Sequence, residues 1–123
     1  MSDSPKPTEI KLHKKSATLE IGFDTGESFT YSAEYLRTHS PSAEVQGHGP
    51  GEEVLQLGKE DVTIEKIEMV GNYALCPTFD DNHDSGLFAW DTLYDLGKNY
   101  ESNWKRYLAR LEEAGYQRKD LSK

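Results

Sequence analysis

The feature that most constrains this chain is the run ATLEIGFDTGESFTY, residues 17–31. Leu19, Ile21 and Phe23 fall on alternate positions, the two-residue period of a strand with one face in a core. The segment FDTGESF supplies a turn, and SFTY beyond it predicts an antiparallel return strand. EIKLH reads as a further strand, set off by a Lys-Lys-Ser break. A hairpin of this kind cannot bury its apolar face alone, so the remaining chain must cover it.

The second half repeats the logic. VTIEKIEMV alternates through Val62 and Ile64, then through Ile67 and Met69, and the phase slip at Lys66 predicts a bulge. Gly71 turns the chain into NYALCPTF, and DDNHDSG turns it into LFAW. Pro77 lacks an N–H, which places it near an edge or bulge. SAEYLR reads as a short mid-chain helix with Ser32 as N-cap. Asp91 is expected to cap a short helix, DTLYDL, that stops at Gly97. A last helix runs to Ala114, with Tyr100, Trp104, Tyr107, Leu108 and Leu111 as one apolar stripe and Gly115 as its stop. Trp104 is expected to be buried on the sheet through this stripe, with Trp90 closing the hairpin against the same layer. The fold class is therefore α+β: a mostly antiparallel meander with a short mid-chain helix and C-terminal helices packed on it.

At 123 residues the chain supports one domain. Residues 1–8 read as a disordered tail, 9–97 as the domain and 98–123 as a C-terminal helical extension. The net charge of −8 argues against nucleic acid or an anionic membrane as the main partner. Cys76 is the lone cysteine, so no internal disulfide and no Cys-rich zinc site can form. Nothing reads as a signal peptide or reaches transmembrane length, which makes the cytoplasm the expected compartment.

Several short motifs fail their own chemistry. FDTG resembles half of an aspartic protease site, but that mechanism needs two such aspartates sharing a proton. Asp80, Asn82 and Asp84 alternate as in a calcium loop, yet Ser85 occupies the position that requires glycine. None of His13, His39, His48 or His83 has a carboxylate two residues on, as an iron oxygenase triad demands. Ser40 and Ser42 neighbour His39, but residues so close in sequence rarely reach nucleophile–base geometry. Catalysis is not indicated.

Residues 38–53 carry prolines, serines and three glycines, and form a long loop of the kind that is usually functional. Leu36-Arg37, then Ser40-Pro41-Ser42-Ala43, then Val70-Gly71-Asn72-Tyr73-Ala74-Leu75, then Asp81-Asn82-His83-Asp84-Ser85-Gly86, then Leu87-Phe88-Ala89-Trp90 form an ordered series. This series resembles the gamma-butyrobetaine hydroxylase-like N-terminal domain family, and the C-terminal helix resembles the extension of small bacterial stand-alone members. The resemblance implies a compact α+β domain. In the hydroxylase members it implies a structural zinc held by Cys-x-Cys-x-x-Cys and a turn histidine, positions occupied here by Ser40, Ser42, Val45 and His83. Neutral hydroxyls and a valine do not replace thiolates, so no bound cofactor is expected. A rebuilt zinc or iron site from His39, His48 and His83, with Glu44 or Asp84 as fourth ligand, is the alternative. Other members occur beside or fused to P-loop carriers of iron–sulfur clusters. That context implies a non-catalytic binding or accessory domain whose partner is a protein, an iron–sulfur cluster carrier in the sharpest version. The expected partner surface is Arg37, His39, Ser40, Ser42, His48 and His83, with Arg37 exposed at the loop entrance. The alternative function is a metal-binding domain or small metalloenzyme using His39, His48 and His83.

Overall fold

The computed structural model describes residues 5–39, 59, 61–81 and 86–116. Strands β1 (Pro7–His13), β2 (Thr18–Phe23) and β3 (Ser28–Ser32) form one antiparallel sheet in that order. Register aligns Leu12, Leu19 and Tyr31 in one row and Ile10, Ile21 and Phe29 in the next. Leu19, Ile21 and Phe23 are all buried, as their alternation requires. β1 begins at Pro7, inside the tail expected over residues 1–8. Lys6 and Asp24 exchange hydrogen bonds of 3.2 and 2.9 Å, which carry the pairing past Glu9.

β4 (Ile64–Val70), β5 (Ala74–Phe79) and β6 (Phe88–Ala89) form a second three-stranded antiparallel sheet. The predicted bulge is present: pairing shifts from Ile64 opposite Phe79 to Lys66 opposite Thr78. Pro77 is buried on β5, past the short β6, which pairs only with Ala74 and Leu75. The antiparallel meander expected of the second half is thus present, as a sheet of its own beside β1–β3. β3 leads straight into helix α1 (Ala33–Thr38), which ends the first sheet on that side. Ser32 caps α1 as expected, its Oγ accepting from the Tyr35 N–H at 3.0 Å.

Helix α2 (Trp90–Lys98) starts one residue before the predicted Asp91 cap and runs through Gly97. The Trp90 N–H still bonds the Tyr73 carbonyl at 3.1 Å, so the ladder continues up to the helix start and Ala89 takes the cap position. Asp91 lies in the first turn, where a carboxylate favours the positive end of the helix. Gly97 is not a stop. A Cβ there would lie 2.5 Å from the Phe29 ring, so glycine lets α2 press onto β3. Helix α3 (Tyr100–Glu113) ends as predicted, with Gly115 at φ +77°. The Tyr116 and Gly115 N–H groups bond the carbonyls of Leu111 and Glu112, both at 3.0 Å, the paired closure of a left-handed helix stop.

The α3 stripe is narrower than expected. Tyr107 and Leu111 are buried, Trp104 is half-buried, and Tyr100 and Leu108 are exposed. α3 leans on the other helices instead of lying across a sheet: the Trp104 ring meets Tyr35 of α1 edge-on at 6.1 Å and stacks on Tyr100 at 6.2 Å. Trp90 is buried, as expected.

The two sheets share one core that includes Leu19, Ile21, Leu75, Phe79, Phe88 and Leu93. Buried hydroxyls need acceptors. Tyr31 donates to the Leu93 carbonyl at 2.6 Å and Tyr35 to the Leu96 carbonyl at 2.7 Å, both on α2. Burial pushes both phenols upward, so they remain protonated donors.

FDTG is a hairpin turn, closed by bonds between Phe23 and Glu27 and between Gly26 and Phe23. The Glu27 carboxylate then accepts from the Tyr94 hydroxyl, from Lys98 at 2.9 Å and from Thr25 at 2.8 Å. These donors, Tyr94 foremost, hold its carboxyl well below the usual range, at about 2. The unfolded chain therefore takes up a proton more readily than the folded one. Stability from this staple is complete above pH 4.5 and is lost as pH falls toward 2. Glu27→Gln should flatten the acid limb of a melting-temperature profile over that window. An unchanged acid limb would show that the staple does not couple to folding.

Candidate functional site

α1 ends at Thr38, immediately before the Ser-Pro-Ser segment, and its last turn carries the Leu-Arg lead-in. Arg37 was expected to be exposed. It is only 7% accessible. Its Nε donates to Asp81 Oδ2 at 3.0 Å, and the same oxygen accepts from Lys59 Nζ at 2.8 Å. The burial has a simple cause. Arg37 lies on a helix whose every residue is buried, and a guanidinium can stay there only with a carboxylate at hand.

Asp81 is the last residue of the β5 exit that precedes the histidine turn. Lys59 sits at the far side of the segment that opens with Ser40. The ion-pair cluster therefore joins three points that lie far apart in sequence, Arg37, Lys59 and Asp81; the loop expected over residues 38–53 lies outside the described residues beyond His39. Arg37 acts as a bracket for the site, with its side chain turned into the protein.

His39 follows as the C-cap residue of α1. Its Nδ1 lies 3.0 Å from both the Tyr35 carbonyl and the Thr38 hydroxyl. The ring packs against Tyr35 at 4.6 Å and Tyr107 at 5.9 Å. Burial pulls its pKa below the usual value, against the raising effect of hydrogen bonds to the Tyr35 and Asn103 main chains. Asn103 also donates to the Tyr35 hydroxyl at 3.1 Å and accepts from Arg106 at 2.8 Å. His39 thus ties α1 to α3, with its Nδ1 at the Tyr35 carbonyl and its ring against Tyr107.

Ser40, Ser42, Glu44, Val45, His48, His83 and Asp84 lie outside the described residues. Among the described residues no group of three or more His, Cys, Asp and Glu side chains is placed to hold a metal. The donor set at the family's zinc positions does not fit that ion: two hydroxyls and a hydrocarbon stand where thiolates are needed. Sequence reasoning missed Lys59, Tyr35 and Asn103, and quoted Asp81 without its role. Only Asp81 left a signal, through its place in the turn motif.

Two outcomes follow from this geometry. Asp81→Asn leaves the buried Arg37 charge short of its carboxylate and should cost about 2–3 kcal/mol, discounted for the partial exposure of Asp81. Chemical denaturation measures it, and a change below about 0.5 kcal/mol would contradict the bracket role. His39 gives the second. With its folded pKa lowered, its contribution is complete above pH 6.5 and is lost as pH falls below that value. His39→Gln should weaken this dependence in the same assay.

Comparison with known proteins places this arrangement. No curated protein matches the chain. Two proteins solved in solution by NMR are similar over nearly the whole length. One is 50% identical with a TM-score of 0.81, covering 100% of this chain and 94% of the other. The second is 46% identical with a TM-score of 0.82, covering 98% of each. A crystal structure of a protein of unknown function from Acidithiobacillus ferrooxidans, of the DUF971 family, is 29% identical with a TM-score of 0.63. It covers 75% of this chain and 92% of that one. The family described as gamma-butyrobetaine hydroxylase-like, N-terminal, matches residues 10–94, the span that holds both sheets save the first three residues of β1, the Arg37–Asp81 bracket and the first five residues of α2. The chain belongs to the gamma-butyrobetaine hydroxylase-like N-terminal domain family.

Proposed function

We propose that the chain is a non-catalytic accessory domain that binds a protein partner at the face where the end of α1 meets Asp81. The observation that carries this reading is the buried Arg37 bracket, bonded to Asp81 at 3.0 Å. A fold that ties Arg37, Lys59 and Asp81 together through a buried cation holds that face in register. Arg37 positions the surface and His39 anchors its α1 end, while Ser40, Ser42, His48 and His83 are the residues proposed to present it. The partner class is an iron–sulfur cluster carrier of the P-loop type in the cytoplasm. Its support is the resemblance, in which such domains occur beside or fused to those carriers. The net charge of −8 adds that the partner's contact face is basic.

A metal-dependent reading through His39, His48 and His83 has less support. The His39 ring is hydrogen-bonded to the Tyr35 carbonyl and packed against Tyr35 and Tyr107, contacts it loses if it turns to a metal. Metal analysis of tag-free protein should find well under one zinc or iron per chain. About one metal per chain, lost in His83→Ala, would replace this proposal with the metal reading. Titration of the purified protein into a purified P-loop carrier should give a saturable complex that weakens with rising salt. No complex at high micromolar concentration would remove the carrier as partner.

A further inference from the structure

Helix α3 lies wholly beyond residue 94, where the match to the family ends, yet it packs on α1, an element inside that match. The Tyr35 ring meets Tyr100 edge-on at 4.9 Å and Trp104 at 6.1 Å, and its hydroxyl accepts from Asn103 Nδ2 at 3.1 Å. The His39 ring meets Tyr107 at 5.9 Å. Tyr35 is fully buried, so part of its cover comes from a helix outside the matched span.

That cover is lightly held. Of the fourteen residues of α3, Tyr107 and Leu111 are the buried ones, and among the described residues the core that joins the two sheets includes neither. A single residue, Asn99, separates the helices, as C-cap of α2 and N-cap of α3. Its backbone, at φ −108° and ψ 25°, breaks the helical path. Its side chain donates to the Asp95 carbonyl at 3.0 Å and carboxylate at 2.8 Å, which secures the end of α2 and leaves α3 without a side-chain cap. Without α3, the Tyr35 hydroxyl still has the Leu96 carbonyl and Tyr31 still has that of Leu93, so the fastening of α2 to the first sheet is untouched. A helix with two buried side chains and a one-residue hinge is the kind of element that opens locally while the rest stays folded.

We infer that the side of α1 formed by Tyr35 and His39 is a helix-docking surface, that α3 occupies it in cis, and that an amphipathic helix of a partner protein takes its place. The chemistry of that helix is read from the present occupant. Asn103, Tyr107 and Leu111 are spaced by four and so share one helix face. Asn103 bonds the Tyr35 hydroxyl, Tyr107 meets His39, and Leu111 is buried with Tyr107, while Glu101, Lys105 and Glu112 stay in solvent. A competing helix therefore offers a hydrogen-bond donor, an aromatic ring and a leucine at the same spacing, and docks by its apolar face. α3 acts as an internal competitor: the apparent affinity for the partner helix is lowered in proportion to the fraction of molecules in which α3 is open.

Native-state hydrogen exchange on the full chain is the first test. Amides of residues 104–111 should be protected at least about ten-fold less than those of Leu19, Ile21 and Tyr31, through an opening confined to α3. Exchange of both sets by global unfolding alone overturns the inference. The second test titrates a labelled peptide copying residues 99–116 into the full chain, and into the full chain carrying Tyr107→Ala with Leu111→Ala. Those substitutions undock α3 and leave Tyr35 and His39 in place. The peptide should bind this variant saturably and the unaltered chain about ten-fold or more weakly, with the ratio of the two Kd values equal to the open fraction from exchange. A peptide carrying the same two substitutions should not bind. No binding to the folded variant, or equal affinity for both proteins, overturns the inference. If the variant does not fold, the exchange measurement on the unaltered chain decides. No cluster carrier takes part in either measurement, so the outcome is separate from that of the face at Asp81.

Discussion

Two buried phenols hold the fold together. Tyr31 on β3 and Tyr35 on α1 each need an acceptor inside the core, and α2 supplies both through the carbonyls of Leu93 and Leu96. α2 follows directly from β6, so these bonds fasten the second sheet to the first. Gly97 makes the approach possible by leaving room for Phe29. The Glu27 staple reinforces the same contact from the surface, through Tyr94 and Lys98. With α2 in place, α1 is held against α3 through Tyr35, Asn103 and His39, and Arg37 is fixed within reach of Asp81. The candidate site is thus a consequence of how one nine-residue helix docks.

Local features were legible from sequence where the physics is local. The alternation in β2, the Ser32 cap, the bulge before Lys66 and the Gly115 stop each depend on a few neighbouring residues, and each is present. The misses depend on residues remote in sequence. Asp91 has the chemistry of a cap, but the ladder from Tyr73 runs to Trp90 and sets the helix start one residue earlier. Trp104 has the spacing of a core residue, but α3 leans on Tyr35 and leaves it at the rim. Arg37 looks like a surface residue until Asp81, 44 positions on, is brought beside it. Nothing in an Arg-Thr-His run encodes that distance.

The ordered motif series of the family has a structural basis in this chain. Its pieces touch one another. The Leu-Arg piece meets the Asp-Asn-His piece through the Arg37–Asp81 pair. The Val-Gly-Asn-Tyr piece meets the terminal tryptophan through two hydrogen bonds of Trp90. Residues joined by such contacts are constrained as pairs whether or not a metal is bound nearby. These contacts use none of the residues at the zinc positions, Ser40, Ser42, Val45 and His83. The fold's motif contacts and its metal chemistry are separable.

The two ends of β5 then have contrasting physical characters. At Asp81, one carboxylate oxygen takes two cations, one of them the buried Arg37 guanidinium, and the chemistry is charged and geometrically fixed. At Tyr73, the contacts that fix the turn are main-chain hydrogen bonds, and what they present is apolar and exposed. Salt and pH act on these ends differently. Ionic strength weakens interactions between exposed charges such as those around Asp81, whereas apolar contacts respond little to salt. Protonation of the domain below pH 6.5 bears on His39 and so on the α1 end. A short strand between the two ends, buried through Leu75, Pro77 and Phe79, gives both a common rigid support.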